Sequence, residues 1–81
     1  MPEKTRFLSE AEIEARIADL PELEFFRSSP NPLVIIRGRP CREDPVYEIQ
    51  LAFDLGDRLE TYQWLWMDAL EGRIVAKIPD R

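Results

Sequence analysis

Residues able to do chemistry are few in this chain, and their spacing narrows what it does. Histidine is absent, and cysteine occurs once, at Cys41. These two facts remove the Ser–His and Cys–His pairs, the usual general base and the commonest zinc ligand. A single cysteine closes no disulfide within the chain and builds no thiolate metal site. Arg39 and Arg42 flank Cys41, and positive charge favours a thiolate. With no base beside it, Cys41 reads as an incidental exposed thiol. Arg37, Arg39 and Arg42 form the basic cluster, either a candidate anion-binding site or, more simply, solvated charges on an edge strand and its turn. Carboxylates gather at turns: Asp54, Asp57 and Glu60 around one, Asp68 and Glu71 at another. They lack the alternating spacing of a calcium loop, and turns select aspartate for its local hydrogen bonds. Nor does any pair of them read as set in a cleft for acid–base work. The expectation is a non-enzyme with no metal and no cofactor.

What remains is recognition by burial. Tyr62, Trp64 and Trp66 alternate along one stretch and share a face of a strand, with Thr61, Gln63, Leu65 and Met67 on the other. A large aromatic buries roughly 150–250 Å², and monomers seldom leave a patch of three uncovered. The row is therefore either core, a face for a protein partner or for a second copy of the chain, or a platform for a small apolar ligand.

The elements that position this row follow from periodicity. Residues 1–7 read as a frayed arm. Ser9 and Glu12 make the S-x-x-E capping box, and Leu8 and Ile13 the hydrophobic staple across it. Ile13, Ile17 and Leu20 supply an apolar stripe, and Pro21 stops the helix, which spans 9–20 with its cap. In PELEFFRSSPNP, Leu23 and Phe25 alternate with Glu24, predicting a short strand or extended connector followed by a loop. Leu33 to Arg39 is a β-branched strand, and Pro40 and Pro45 enforce a long connection to the next. Val46 to Phe53 sets Tyr47, Ile49, Leu51 and Phe53 against Glu48, Gln50 and Ala52, a half-buried strand. A turn at Asp54–Asp57 gives Gly56 a positive φ. The strand Leu59–Met67 follows, then an Asp68–Gly72 turn of the G1-bulge kind and a last strand, Arg73–Ile78.

The whole is one domain of 81 residues: an α+β, two-layer arrangement of one N-terminal helix on a three- to four-stranded antiparallel meander over 33–78. One helix shields one side of such a sheet, while the strand 59–67 has bulky residues on both. Edge strands also stay open for strand addition. Sixteen acidic residues against eleven basic give a net charge of −5, which repels phosphate backbones and anionic lipid, so neither nucleic acid nor membrane is an expected partner. No stretch reaches a membrane-spanning length. The start, MPEKTRFLSEAE, lacks the apolar centre of a signal peptide. With the lone thiol, this makes the cytoplasm the expected compartment, export requiring a leader that preceded this sequence.

Three short motifs carry a family resemblance: Leu8-Ser9-Glu10-Ala11-Glu12 at the helix start, Val46-Tyr47-Glu48-Ile49 in a strand, and Met67-Asp68-Ala69-Leu70-Glu71-Gly72-Arg73-Ile74 at the last hairpin. Their types and order resemble PepSY and PepSY-like domains, with three departures. Glu71 stands where that family has threonine, the connector at Phe25–Pro32 is longer, and no leader is read here although that family is mostly exported or membrane-linked. The resemblance implies a cystatin- or PepSY-like shell and a non-catalytic module that modulates peptidases. In that hairpin the residue before the aspartate points inward, which assigns Met67 and Leu65 to the core and leaves Tyr62, Trp64 and Trp66 outside. The competing expectation is a small apolar ligand held in a pocket between helix and sheet.

Overall fold

The computed structural model describes residues 6–79. Helix α1 (Glu10–Ala18) starts as the capping box requires. The Glu12 amide donates to Ser9 Oγ at 3.1 Å, and the Ser9 amide to Glu12 Oε1 at 2.7 Å. The Ser9 amide holds the Glu12 carboxyl below the ordinary carboxylate range. α1 ends at Ala18, two residues short of the proline, and its buried residues are Ile13 and Ile17.

The connector is helical, not extended. A 3-10 turn (Pro21–Leu23) runs directly into α2 (Glu24–Ser28). Pro21 occupies the first helical position, where its missing N–H costs nothing and its φ is already suitable. The spacing that decides the matter is Leu23 to Phe26, three residues apart and both 1% exposed, while Phe25 is 66% exposed. The expected Leu23/Phe25 alternation therefore yields to an i,i+3 pair on one helical face. Arg27 locks the corner: one guanidinium nitrogen donates to the Ile17 carbonyl at 3.1 Å and to the Leu20 carbonyl at 2.6 Å. Both carbonyls also accept backbone amides three residues on, from Leu20 at 3.2 Å and Leu23 at 3.1 Å, so the guanidinium ties the end of α1 to the turn that follows it.

The remainder is a meander of β1 (Pro32–Gly38), β2 (Val46–Asp54), β3 (Leu59–Asp68) and β4 (Ile74–Pro79), antiparallel throughout and in the order β1-β2-β3-β4. Gly56 has φ 95° and Gly72 φ 75° at the two tight hairpins. The second hairpin closes as a side-chain-capped turn, Asp68 accepting from the Leu70 and Glu71 amides and the Gly72 amide donating to the Asp68 carbonyl. The prolines hold the β1–β2 connection long, and Cys41 and Asp44 exchange backbone hydrogen bonds within it.

One core lies between the helices and one side of the sheet. Ile13, Ile17, Leu23 and Phe26 meet Tyr47, Ile49 and Leu51 of β2 and Leu65 and Met67 of β3, all 5% exposed or less. The segment before α1 joins this core. Residues 1–5 of the expected frayed arm lie outside the described residues, but Phe7 and Leu8 pack on the core. The Leu8 amide donates to the Ala69 carbonyl at 2.7 Å, and the Tyr47 hydroxyl donates to the Leu8 carbonyl at 2.6 Å. Pairing to a distant hairpin orders this segment where sequence polarity alone suggests fraying.

That hydroxyl gives a pH signature. Burial, helped by the Glu10 carboxylate, raises the Tyr47 pKa above 10.0. A raised folded-state value means the contribution is complete below the unfolded value and is lost as pH rises through the folded one. Tyr47→Phe is expected to lose about 0.5–1.5 kcal/mol near neutrality. Urea melts should show the gap from wild type closing above pH 10; a gap constant with pH would contradict the hydrogen bond.

Candidate interaction face

The side of the sheet away from the helices is set by register. On β2, Glu48, Gln50 and Ala52 point there, opposite the core residues between them. Trp66 pairs with Glu48 and Trp64 with Gln50, so both indoles are on this outer side. Ile78 pairs with Trp64 and Ala76 with Trp66, which brings β4 into the same surface. From β1, Leu33 and Ile35 pair with Ala52 and Gln50. Trp66 is 39% exposed and Ile78 40%, while Leu33, Ile35 and Trp64 are half-buried. The helical residues that are buried all belong to the core on the opposite side. Among the described residues the outer side is thus bare of helix, with apolar residues at its centre and Asp54 and Asp68 at its ends.

Tyr62 does not belong to this row. Leu51 pairs with Gln63 and Ala52 with Thr61, so Tyr62 is the extra residue of a β-bulge in β3. A bulge sets two residues against one and shifts the alternation by a step. Thr61 consequently shares the outer side, its hydroxyl accepting from the Gln50 side-chain amide at 2.6 Å. Tyr62 turns inward to a cluster with Phe25, Phe26 and Phe53, ring centroids 5.7–6.0 Å away. The three-aromatic row is corrected to two indoles outside and one phenol ring inside.

A polar stripe crosses the outer face. Arg37 donates through Nε to Gln50 Oε1 at 2.8 Å, and Gln50, 7% exposed, spends its other end on Thr61. Glu48 is exposed beside them, and its side chain lies against Gly38, where an added Cβ would come within 2.8 Å of Glu48 Oε1. Arg37 is itself the extra residue of a bulge between Ile36 and Gly38.

This disperses the arginine cluster. Arg37 is committed to the outer face, whereas Arg39 forms an ion pair with Glu10 at the start of α1, on the helix side. Arg42 lines a separate hollow with Phe7, Pro45 and Leu70. Arg37 and Arg39 thus find their partners on opposite sides of the sheet, and the candidate anion-binding arginines do not share one face. Cys41 is exposed and free. Among the described residues no three His, Cys, Asp or Glu side chains gather as a metal site.

Core side chains fill most of the space between helices and sheet, and an open hollow of about 280 Å³ remains beside β1, lined by Ile17, Ala18, Phe26, Arg27 and Val34. The hollow richest in apolar lining lies at one end of the molecule, about 260 Å³, between Phe25, Ser29, Pro30, Asn31, Phe53 and Leu55. It is small beside the roughly 300–1,000 Å³ of ligand pockets. No helix among the described residues is long and apolar enough to cross a membrane.

Strand addition meets obstacles at both edges. β1 opens with Pro32 and carries the Arg37 bulge; β4 takes Val75 as an extra residue and ends at Pro79. Bulges and prolines are the devices that blunt edges, so the face is the more available surface. Leu33, Ile35 and Ile78 extend it beyond the two indoles. Alternation within β1 and β4 contains that information, but only pairing to β2 and β3 says which side is which. No protein-family model, no curated protein and no solved structure matches this chain.

Proposed function

We propose that this domain is a non-enzymatic protein-interaction module whose binding surface is the outer face of its sheet. The observation that carries the reading is the pair Trp64 and Trp66, flanked by Ile35 and Ile78, on a side over which the described residues place no helix. Indoles are the side chains most enriched at binding hot spots, because they bury much area for few rotatable bonds. The Arg37–Gln50–Thr61 stripe gives orientation across the apolar centre of that face. The resemblance to PepSY-like domains points to regulation of a peptidase as the role, and this rests on analogy. The lone exposed Cys41 suits a reducing compartment, and the cytoplasm is the setting we assign.

Cross-linking in cell extract tests the surface separately from the partner's identity. Adducts of the wild-type chain are expected to map to β3 and β4 around Trp66. They should disappear in Trp66→Ala, whose thermal midpoint stays within a few degrees of wild type. They should persist in Phe25→Ala, which alters an exposed aromatic on the helix side. Adducts that survive Trp66→Ala and vanish in Phe25→Ala would move the surface to the other side of the molecule.

A further inference from the structure

Resting on that reading, we infer that the partner is a basic protein segment, and that an arginine or lysine of that segment seats its cation on the Trp66 indole between Glu48 and Asp68. The charge of the face selects it. On the outer side the strands carry three carboxylates, Glu48, Asp54 and Asp68, against one guanidinium, Arg37. Arg37 is already turned to Gln50, and no ion pair among the described residues engages Glu48. At net −5 the chain as a whole draws a basic partner in from a distance and turns an acidic one away, a second copy of itself included.

Register builds the seat. Glu48 lies directly across from Trp66, and Asp68 follows Trp66 by two positions on the same side of β3. Pairing and pleat set the stems of these carboxylates about 5 Å and about 7 Å from the base of the indole. Trp66 is 39% exposed, and of the aromatic rings the indole attracts a cation most strongly. The row is open at both ends. Gly38 pairs with Glu48 and Ala76 with Trp66, so the edge strands add no bulk beside either. Glu48, exposed and resting on Gly38, reaches an occupant of the indole by rotation of its own side chain. Asp68 is held in place by the Leu70 and Glu71 amides, and Arg73 is paired with Glu71. A π face bracketed by two carboxylates suits a guanidinium best, which stacks on the ring while its fork meets the oxygens. Ile35 and Ile78, in the next row with Trp64, take apolar side chains of the same segment.

Selection of a random library of peptides of about twelve residues on the full chain, counter-selected on Trp66→Ala, tests this. Peptides that bind the wild type and not the variant are expected to be enriched in arginine and lysine over the unselected library. With the tightest of them as probe, Glu48→Gln should weaken binding about fivefold. Glu14→Gln, which removes the same charge from the helix side, should change it by less than about twofold. Both variants are expected to keep the wild-type thermal midpoint, so neither loss reflects unfolding. Trp66-dependent peptides with no basic excess overturn the cationic partner; the cross-links decide separately whether the face binds protein at all. Equal losses in Glu48→Gln and Glu14→Gln reduce the attraction to net charge and overturn the seat. A library that yields no Trp66-dependent peptide overturns the inference too. So does a wild type found by sedimentation to dimerise through Trp66, since a second copy then covers the face.

Discussion

Phe26→Ala is expected to cost about 3–5 kcal/mol, the range for removing a buried aromatic and leaving a cavity. Phe26 is 1% exposed, with Phe53 and Tyr62 at 5.5 and 5.7 Å between ring centroids. Its loss therefore removes the partner that both rings share. Domains have about 0.05–0.15 kcal/mol of stability per residue, so a chain this short has little margin to absorb the change. Urea melts at 25 °C should show Phe26→Ala with its midpoint collapsed or no folded baseline. The adjacent Phe25→Ala should shift the midpoint by less than the equivalent of about 1 kcal/mol, as surface substitutions do. The contrast tests the helical register of α2 directly. In a strand reading Phe25 would be the costly residue, and equal effects would contradict the structure.

The second large effect concerns a pair of glycines in left-handed conformation that differ in surroundings. Gly56→Ala must hold φ near 95°, but its Cβ meets nothing within 4 Å. The expected loss is the conformational one, about 1–2 kcal/mol. At Gly72, with φ 75°, an added Cβ comes within 3.0 Å of Leu8 Cδ1 and 3.1 Å of Arg16 Nη1. Arg16 cannot simply withdraw, because that nitrogen donates to the Glu71 carbonyl at 2.9 Å. Gly72→Ala therefore adds the displacement of the N-terminal segment to the same strain, for about 2–4 kcal/mol in all. Parallel thermal melts should rank Gly72→Ala well below Gly56→Ala. An equal loss would mean that Leu8 and Arg16 yield without penalty.

How much of this was legible in the sequence depended on whether the signal was local. The Ser9–Glu12 box, the stripe of Ile13 and Ile17, the alternation of β2 and both turn glycines are written within a few residues, and each appears where expected. The α+β meander follows from them. Leu23-Glu24-Phe25-Phe26 carries two periodicities at once, and only the core that Phe26 enters selects the helical one. Tyr62 was misplaced because a bulge has no mark in the strand that contains it; it exists in the pairing of Leu51 with Gln63 and Ala52 with Thr61. The arginines separate for a related reason. Spacing sets Arg37, Arg39 and Arg42 close in sequence, while a bulge and a sheet with two sides send the first to Gln50 and the second to Glu10. For the candidate face, the indoles were readable and their setting was not, since Leu33, Ile35 and Ile78 join them across strands.

The clasp joining Leu8 to Ala69 and Arg16 to Glu71 has a kinetic meaning. The β2–β3 and β3–β4 hairpins close over short turns, whereas this clasp joins residues about sixty positions apart in sequence. It is therefore expected to form after the rate-limiting step, with the sheet already assembled. Contacts formed that late govern how long the native state survives, not how fast it is reached. The N-terminal segment is thus expected to act as the molecule's timekeeper: in stopped-flow measurements Leu8→Ala should speed unfolding while refolding speed stays nearly the same.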